Sequence, residues 1–397
     1  METTYIVSAG RTAIGSFGGS LKDFAPSDLA SKVLTEVIRR AKISPEKVQH
    51  VVLGQVIQTT PKDAYLARVA GRSAGIPDQA PALTLNRLCG SGLQAVISGA
   101  QMIALKECEV AVTGGVEVMS RSPHVAQGIR FGTRMGTVPL VDAMAEILTD
   151  PFEGCHMGVT AENIASQYNI SRETQDALAA ESQVRAARAQ AEGRFDEQIV
   201  PIEVVSSIGA RVFDRDECIR HDVSLAAMAT LRPVFKDKGS VTAANSSAIS
   251  DGAAALVIAS ENAVKESGLS PLARIVAWGH AGVDPRMMGI GPVDAVPIAL
   301  KRAALSIDQM DVIESNEAFA AQACAVATEL KFSPEKVNPN GSGISLGHPV
   351  GATGAILTVK AAYELARVGG RYGLITMCIG GGQGIAMVIE SVLPSRT

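Results

Sequence analysis

Apolar runs, glycine-rich turns and stretches of small, helix-compatible residues alternate along the chain. Tyr5-Ile6-Val7-Ser8-Ala9-Gly10 reads as a strand at the start, and Ile385-Ala386-Met387-Val388-Ile389-Glu390 as one near the end. Further apolar strands are expected at Val51–Leu53, Val110–Thr113, Val312–Ile313 and Leu374–Cys378. Gly92–Lys106 carries small and apolar residues throughout and predicts a helix. Strands alternating with helices predict parallel sheets covered by helices, an α/β fold.

The pattern has an internal echo. Arg40-Ala41-Lys42-Ile43-Ser44, followed by Glu46 and Val48, is matched by Arg302-Ala303-Ala304-Leu305-Ser306, followed by Asp308 and Met310. Each reads as a helix end, a turn and a strand. Later in each half come a glycine-rich turn, a small-residue helix and an apolar strand running into Gly114-Gly115 or Gly380-Gly381. Two duplicated halves are one reading, and convergence of ordinary α/β units is the other. Between them, about 121–240, lies a stretch richer in charge. Ser171 is placed to cap a helix over Gln175–Glu192, and Gly193 to stop it.

Composition narrows the class. The length of 397 residues allows two core-bearing domains. The net charge of −4 provides no basic stripe, so nucleic acid is not an expected partner. The six cysteines show no CxxC pairing and no close Cys/His cluster, which argues against a zinc site or a disulfide scaffold. The first residues lack a signal-peptide apolar core, and no apolar run reaches the length of a membrane span. Pro394-Ser395-Arg396-Thr397 is not the simple peroxisomal tripeptide. A cytoplasmic protein with free thiols is expected, with no metal and no membrane partner.

Candidate chemistry concentrates at the glycine turns. In NRLCGSGLQAV, Cys89 precedes Gly90 and Gly92 and the predicted helix. Glycine lets the backbone turn sharply and approach a ligand closely. A cysteine at a helix N-terminus feels the positive end of the macrodipole, which lowers its pKa, and nearby amides are free to receive an oxyanion. The alternative is a buried structural cysteine.

Two distant segments repeat the motif. His348 lies between Gly347 and Pro349 in a turn that opens another helix, and Cys378 ends a strand that enters a triple-glycine turn. Taken singly, these are a core histidine and a buried strand residue. Three reactive side chains at glycine-lined ends of elements, however, sit where site residues concentrate. Asn316, in SNEAF, ends a further apolar strand and is either a site amide or a helix cap.

NRLCGSGLQAV, HMGVTAEN, SNEAFAAQ, GISLGHPVGATGA and MCIGGGQG together resemble, in order, the signature segments of the thiolases. The resemblance runs from the first strand to the last and is strongest to bacterial acetyl-CoA acetyltransferases and broad-specificity beta-ketothiolases. It implies duplicated α-β-α layered halves with parallel-rich sheets and an inserted loop domain. The N-terminal half would be 1–120 with 241–270, the loop domain 121–240, and the C-terminal half 271–397.

The resemblance also implies roles. Cys89 would be the nucleophile that carries the acyl group, His348 its base, and Cys378, as a thiolate, the second acid/base. Asn316 would hold a water near the enolate oxygen, and the amide of Gly380 would join that of Cys89 in stabilising an oxyanion. Coenzyme A enters as a substrate, with no permanently bound cofactor. His156, Met157 and Ser247 would face pantetheine, and Arg220 the adenosine phosphates. Phe319, Leu148 and Met288 would complete the acyl-CoA site. Leu148, Met157, Met288 and Ile379 would set chain length. Ala227 departs from relatives with a polar residue near the nucleotide. A homotetramer, a dimer of dimers, is the assembly the family suggests.

Two other classes compete with this reading. Decarboxylating condensing enzymes of the ketoacyl synthase type tend to pair a cysteine with two histidines. Here the late residue is Cys378, and His50, His124, His221 and His280 lack a glycine-turn context. A non-catalytic acyl-CoA-binding relative would be expected to lack Cys89, His348 or Cys378, and all three are present.

Overall fold

The computed structural model describes residues 2–206 and 209–392, so the C-terminal tetrapeptide lies outside the described residues. The first half runs β1 (Thr4–Arg11), α1 (Pro26–Arg40), β2 (His50–Gly54), α2 (Leu66–Ser73), β3 (Ala82–Leu85), α3 (Ser91–Ala104) and β4 (Val110–Val118). A long excursion carries α4 (Met157–Gln167) and α5 (Arg172–Ala191) before β5 (Ser250–Ser260) returns. The second half runs β6 (Ala273–Gly282), α6 (Gly291–Ala303), β7 (Val312–Ser315), α7 (Ala320–Glu329), α8 (Thr353–Val368), β8 (Tyr372–Ile379) and β9 (Gln383–Ser391). Among the described residues no helix is long and apolar enough to cross a membrane.

These strands form one ten-stranded sheet in the order β7-β8-β9-β6-β1-β5-β4-β2-β3, with Gly15–Ser16 paired to β5. Read outward from the β1/β6 pair, both halves have the same plan. Where β3 pairs with β2, Val337 pairs in parallel with Ile313 of β7. The repeated motif in the sequence therefore corresponds to a repeated topology.

The sheet is mixed. Pairs β2/β3, β2/β4 and β7/β8 are parallel, as crossover helices require. Pairs β4/β5 and β8/β9 are antiparallel. The β8/β9 connection is too short for a crossover. It turns through Gly381 (φ +76°) and Gly382 (φ +82°), a backbone that suits glycine. No short crossover constrains β5, which arrives after the excursion, and it runs antiparallel to β4. Both β4 and β5 are buried along their full length, the mark of strands covered on both faces.

Helices α3 and α8 open beside the candidate site residues, and they cross at glycine. A Cβ on Gly92 would lie 2.7 Å from Ala355 N, and one on Gly354 would collide with Leu93 N. Only two glycines permit this approach. The predicted helix in the excursion is present as α5. Ser171 Oγ accepts the N–H of Thr174, and Gly193 follows at φ +70°.

The excursion is tied to the first half by a buried ion pair. Arg11 makes a two-pronged contact to Asp216 at 2.7 and 3.0 Å, and Asp216 also accepts Ile14 N–H at 2.8 Å. Such a pair fixes geometry more dependably than it adds stability. It sets the path of the residues just beyond, including Arg220.

Candidate active site

The Cys89 turn is built by local hydrogen bonds. Asn86 Oδ1 accepts Leu88 N–H at 2.8 Å, and Ser91 Oγ accepts Arg87 N–H at 2.8 Å while donating to Leu88 O at 2.7 Å. Leu88 is held at φ 45°, a left-handed conformation that costs about 1–2 kcal/mol for a residue with a Cβ. Gly90 packs against Ile379, whose Cδ1 would lie 2.6 Å from a Cβ there. The backbone amides of Cys89 itself and of Gly380 lie near the Cys89 sulfur and favour its thiolate.

The expected macrodipole effect on Cys89 is reversed. Burial pushes its thiol above the usual range, and the two amides only partly oppose this. Desolvation of a thiolate outweighs the favourable end of α3. Burial and the neighbouring Cys89 also push up the thiol of Cys378, which is 1% exposed. The expectation of a standing Cys378 thiolate is therefore corrected: at rest it is a thiol.

His348 follows Gly347, which adopts φ +101°. Its N–H donates to Ala248 O at 3.0 Å. The ring places Nδ1 2.6 Å from Thr353 Oγ1 and Nε2 3.4 Å from Asn316 Nδ2. Burial holds its pKa down at about 4, so the imidazole is neutral at physiological pH. Asn316 is fully buried just beyond β7. Phe319, not Asn316, occupies the cap position of α7, and Asn316 Oδ1 has no hydrogen-bond partner among the described residues.

Cys89, His348, Cys378 and Gly380 line one narrow, largely apolar cavity of about 60 Å³. Leu148, Met157, Ser247, Met288 and Phe319 line it too. Ile379 does not. Side chains alternate along a strand, so Cys378 faces the cavity and Ile379 packs under Gly90. His156 also lies off the lining. Its Nδ1 accepts Gly158 N–H to cap α4, and its ring stacks on Phe235 at 4.5 Å, which meets Phe319 edge-on. Arg220 sits exposed in an adjoining open groove with Ser224, Ala227 and Leu231. Ser246 and Ala248 line that groove, while Ser247 between them lines the inner cavity.

Sequence reasoning missed several residues here. Val56, Leu88, Ile147, Ala318 and Val350 complete the lining. Leu88 and Val350 stand beside the reactive residues, and proximity in sequence was the available signal. Glu117 is a lone acid within the apolar strand β4. Its carboxyl accepts N–H groups from Val56, Ile57 and Gly351 at 2.9–3.1 Å, bracing a cavity wall against the turn after His348. Burial pushes this group up to about 8.

This fold and site define a class, and comparison with known proteins agrees. Residues 4–262 match the thiolase N-terminal domain and residues 269–391 the thiolase C-terminal domain. The chain belongs to the thiolase family. It is 57% identical to beta-ketothiolase BktB of Cupriavidus necator over 98% of each chain. The crystal structure of Bacillus anthracis acetyl-CoA acetyltransferase superposes with a TM-score of 0.97, at 46% identity over 99% of each chain. Human mitochondrial 3-ketoacyl-CoA thiolase in complex with CoA superposes with a TM-score of 0.96, at 45% identity over 99% of this chain and 98% of that one.

Proposed function

We propose that the protein is an acyl-CoA C-acetyltransferase of the beta-ketothiolase type. It interconverts two acetyl-CoA with acetoacetyl-CoA and CoA, and it also accepts somewhat longer 3-ketoacyl-CoAs. The observation that carries this reading is the meeting of Cys89, His348 and Cys378 on one cavity that Gly380 also lines.

In the cleavage direction, neutral His348 takes the proton of Cys89 as the sulfur attacks the 3-keto carbonyl. The amides of Cys89 and Gly380 stabilise the oxyanion, each contributing roughly 3 kcal/mol. The carbon–carbon bond breaks, and the departing acetyl-CoA enolate takes a proton on carbon from the Cys378 thiol. Protonated His348 and a water held by Asn316 stabilise the enolate oxygen meanwhile. CoA thiol then enters, gives its proton to the Cys378 thiolate and attacks acyl-Cys89. Cys89 leaves as thiolate and recovers its proton from His348. Synthesis is the reverse. A raised Cys378 pKa suits its part as a carbon acid's partner, because the α-carbon of a thioester is itself a weak acid.

Coenzyme A is the substrate that fills the outer groove. Arg220 meets its phosphates, and Ser247 and Met157 meet pantetheine, with His156 acting through Phe235. Leu148, Met288 and Phe319 wall the acyl end. No metal or permanently bound cofactor is needed in this scheme, because the thioester itself stabilises the carbanion.

The chain divides, in this reading, into an N-terminal half (1–120 with 241–270), a loop domain covering CoA (121–240) and a C-terminal half (271–397). The enzyme works in the cytoplasm as a homotetramer. Support for assembly comes from a protruding segment between the paired strands His124–Ala126 and Leu140–Asp142, where Phe131 is 97% and Met135 93% exposed. Large apolar side chains so exposed mark contact surfaces.

The test is CoA-dependent thiolysis across 3-ketoacyl-CoAs of increasing length, with Cys89→Ala as control. Cleavage of four- and five-carbon substrates supports the reading. Activity on acetoacetyl-CoA alone removes its broader part, and no cleavage of any substrate overturns it.

A further inference from the structure

His348 must present the correct ring nitrogen, and a neutral imidazole has two tautomers. The geometry around Thr353 decides between them. Thr353 Oγ1 lies 3.0 Å from Pro349 O and 2.6 Å from His348 Nδ1, and all three residues belong to one buried turn. A carbonyl oxygen accepts only. The hydroxyl carries one proton, and back-bonding at the opening of α8 directs it to Pro349 O, four residues earlier, which also accepts the N–H groups of Ala352 and Thr353. With the hydroxyl proton so placed, the oxygen that faces Nδ1 accepts, and the short contact is filled by a proton on Nδ1. Nε2 is left with its lone pair on the Asn316 side, where Asn316 Nδ2 donates toward it at 3.4 Å.

We propose that Thr353 is a positioning residue: its hydroxyl fixes His348 in the Nδ1–H tautomer and leaves Nε2 free to take the proton of Cys89. The inference rests on the function proposed for His348. A carbonyl–hydroxyl–imidazole chain does here what a carboxylate does for the histidine of a hydrolase triad, without placing a second charge in the site. A carboxylate would raise the imidazole pKa. A hydroxyl orients the ring and leaves it neutral.

The same physics accounts for a threonine at the first position of α8. A hydroxyl there can bond back to the carbonyl four residues earlier, which an apolar side chain cannot do. Because Thr353 is buried, that bond has no water to compete with it.

The experiment uses the full chain labelled with 15N-histidine, with His348 assigned through His348→Asn. In the wild type, Nε2 is expected at the frequency of an unprotonated ring nitrogen and Nδ1 at that of a protonated one. The opposite pattern overturns the proposal without any Thr353 variant. Thr353→Val keeps the shape and removes the acceptor. It is expected to lower kcat by about tenfold to a hundredfold, the usual cost of losing an orienting partner, with KM little changed and the tautomers mixed. Thr353→Ser restores both kcat and the tautomer. Equal losses in Val and Ser, with the wild-type tautomer kept, would mean packing alone and would overturn the inference. Full activity in Thr353→Val beside an inactive His348→Asn overturns only this proposal. Full activity in His348→Asn overturns the underlying reading as well.

Discussion

Gly92 and Gly354 face each other where α3 and α8 cross, each closing on the backbone of the other helix. The first helix opens beside Cys89 and the second beside His348. The contact between the two halves is thus also the contact that brings nucleophile and base to one cavity. Gly354→Ala is expected to cost roughly 1–3 kcal/mol of stability, since backbone rather than a flexible side chain must yield. It should also lower kcat by about a hundredfold through misplacement of the two side chains. Thermal denaturation and steady-state kinetics on one preparation check both. A folded variant with unchanged kcat would separate the crossing from the chemistry.

The two cysteines have separable tasks. Cys89→Ala is expected to abolish formation of an acyl-enzyme. Cys378→Ser should still be acylated by acetyl-CoA, yet lose exchange of the α-protons with solvent by roughly 10²–10⁴-fold. Deuterium incorporation into acetyl-CoA, followed by mass spectrometry, measures this. Full condensation activity in Cys378→Ser would remove it from the second step.

Stability should depend on pH through His348. Its pKa is near 4 in the folded protein and about 6.5 when unfolded. Between these values the unfolded chain holds a proton that the folded one does not. Stability therefore falls as pH drops from about 6.5 toward 4 and levels off below, by on the order of 3 kcal/mol for this group. His348→Asn should lack that part of the loss. Urea denaturation of both proteins from pH 4 to 7 gives the difference, which should shrink toward higher pH if burial of neutral imidazole is its cause.

Arg220 stands alone among the proposed CoA contacts in the outer, open groove. Arg220→Ala should raise KM for CoA several-fold while leaving kcat nearly intact, because a phosphate contact far from the reacting carbon binds ground and transition states alike. A pantetheine-type thiol without phosphates should not distinguish the variant from the wild type. Equal losses with both thiols would place Arg220 in a structural part instead.

Much of this site was legible in the sequence, because its reactive residues sit at glycine turns that local chemistry demands. Cys89, His348 and Cys378 follow that rule, as do helix α5, its Ser171 cap and its Gly193 stop. Strand direction was not legible for β5, since nothing in an apolar run states which neighbour it will join after a long excursion. The pKa of Cys89 was misjudged for a related reason. A macrodipole is a local property of a helix, whereas burial depends on what the distant segments bring. Ile379 is expected on the wall that sets chain length, but the alternation of a strand turns it and Cys378 to opposite sides. Thr353 and Glu117 act by holding other groups, and partners far along the chain cannot be read from residue type.

The most direct test of the account is the identity of the covalent intermediate. Protein mixed with a 3-ketoacyl-CoA and quenched in acid before CoA is added should yield, on peptide mapping, an acyl thioester on Cys89. The same label should appear on Cys89 in Cys378→Ser after acetyl-CoA. Acyl group on another cysteine, or none in a preparation that turns over substrate, would contradict the assignment of Cys89 as the nucleophile and the mechanism built on it.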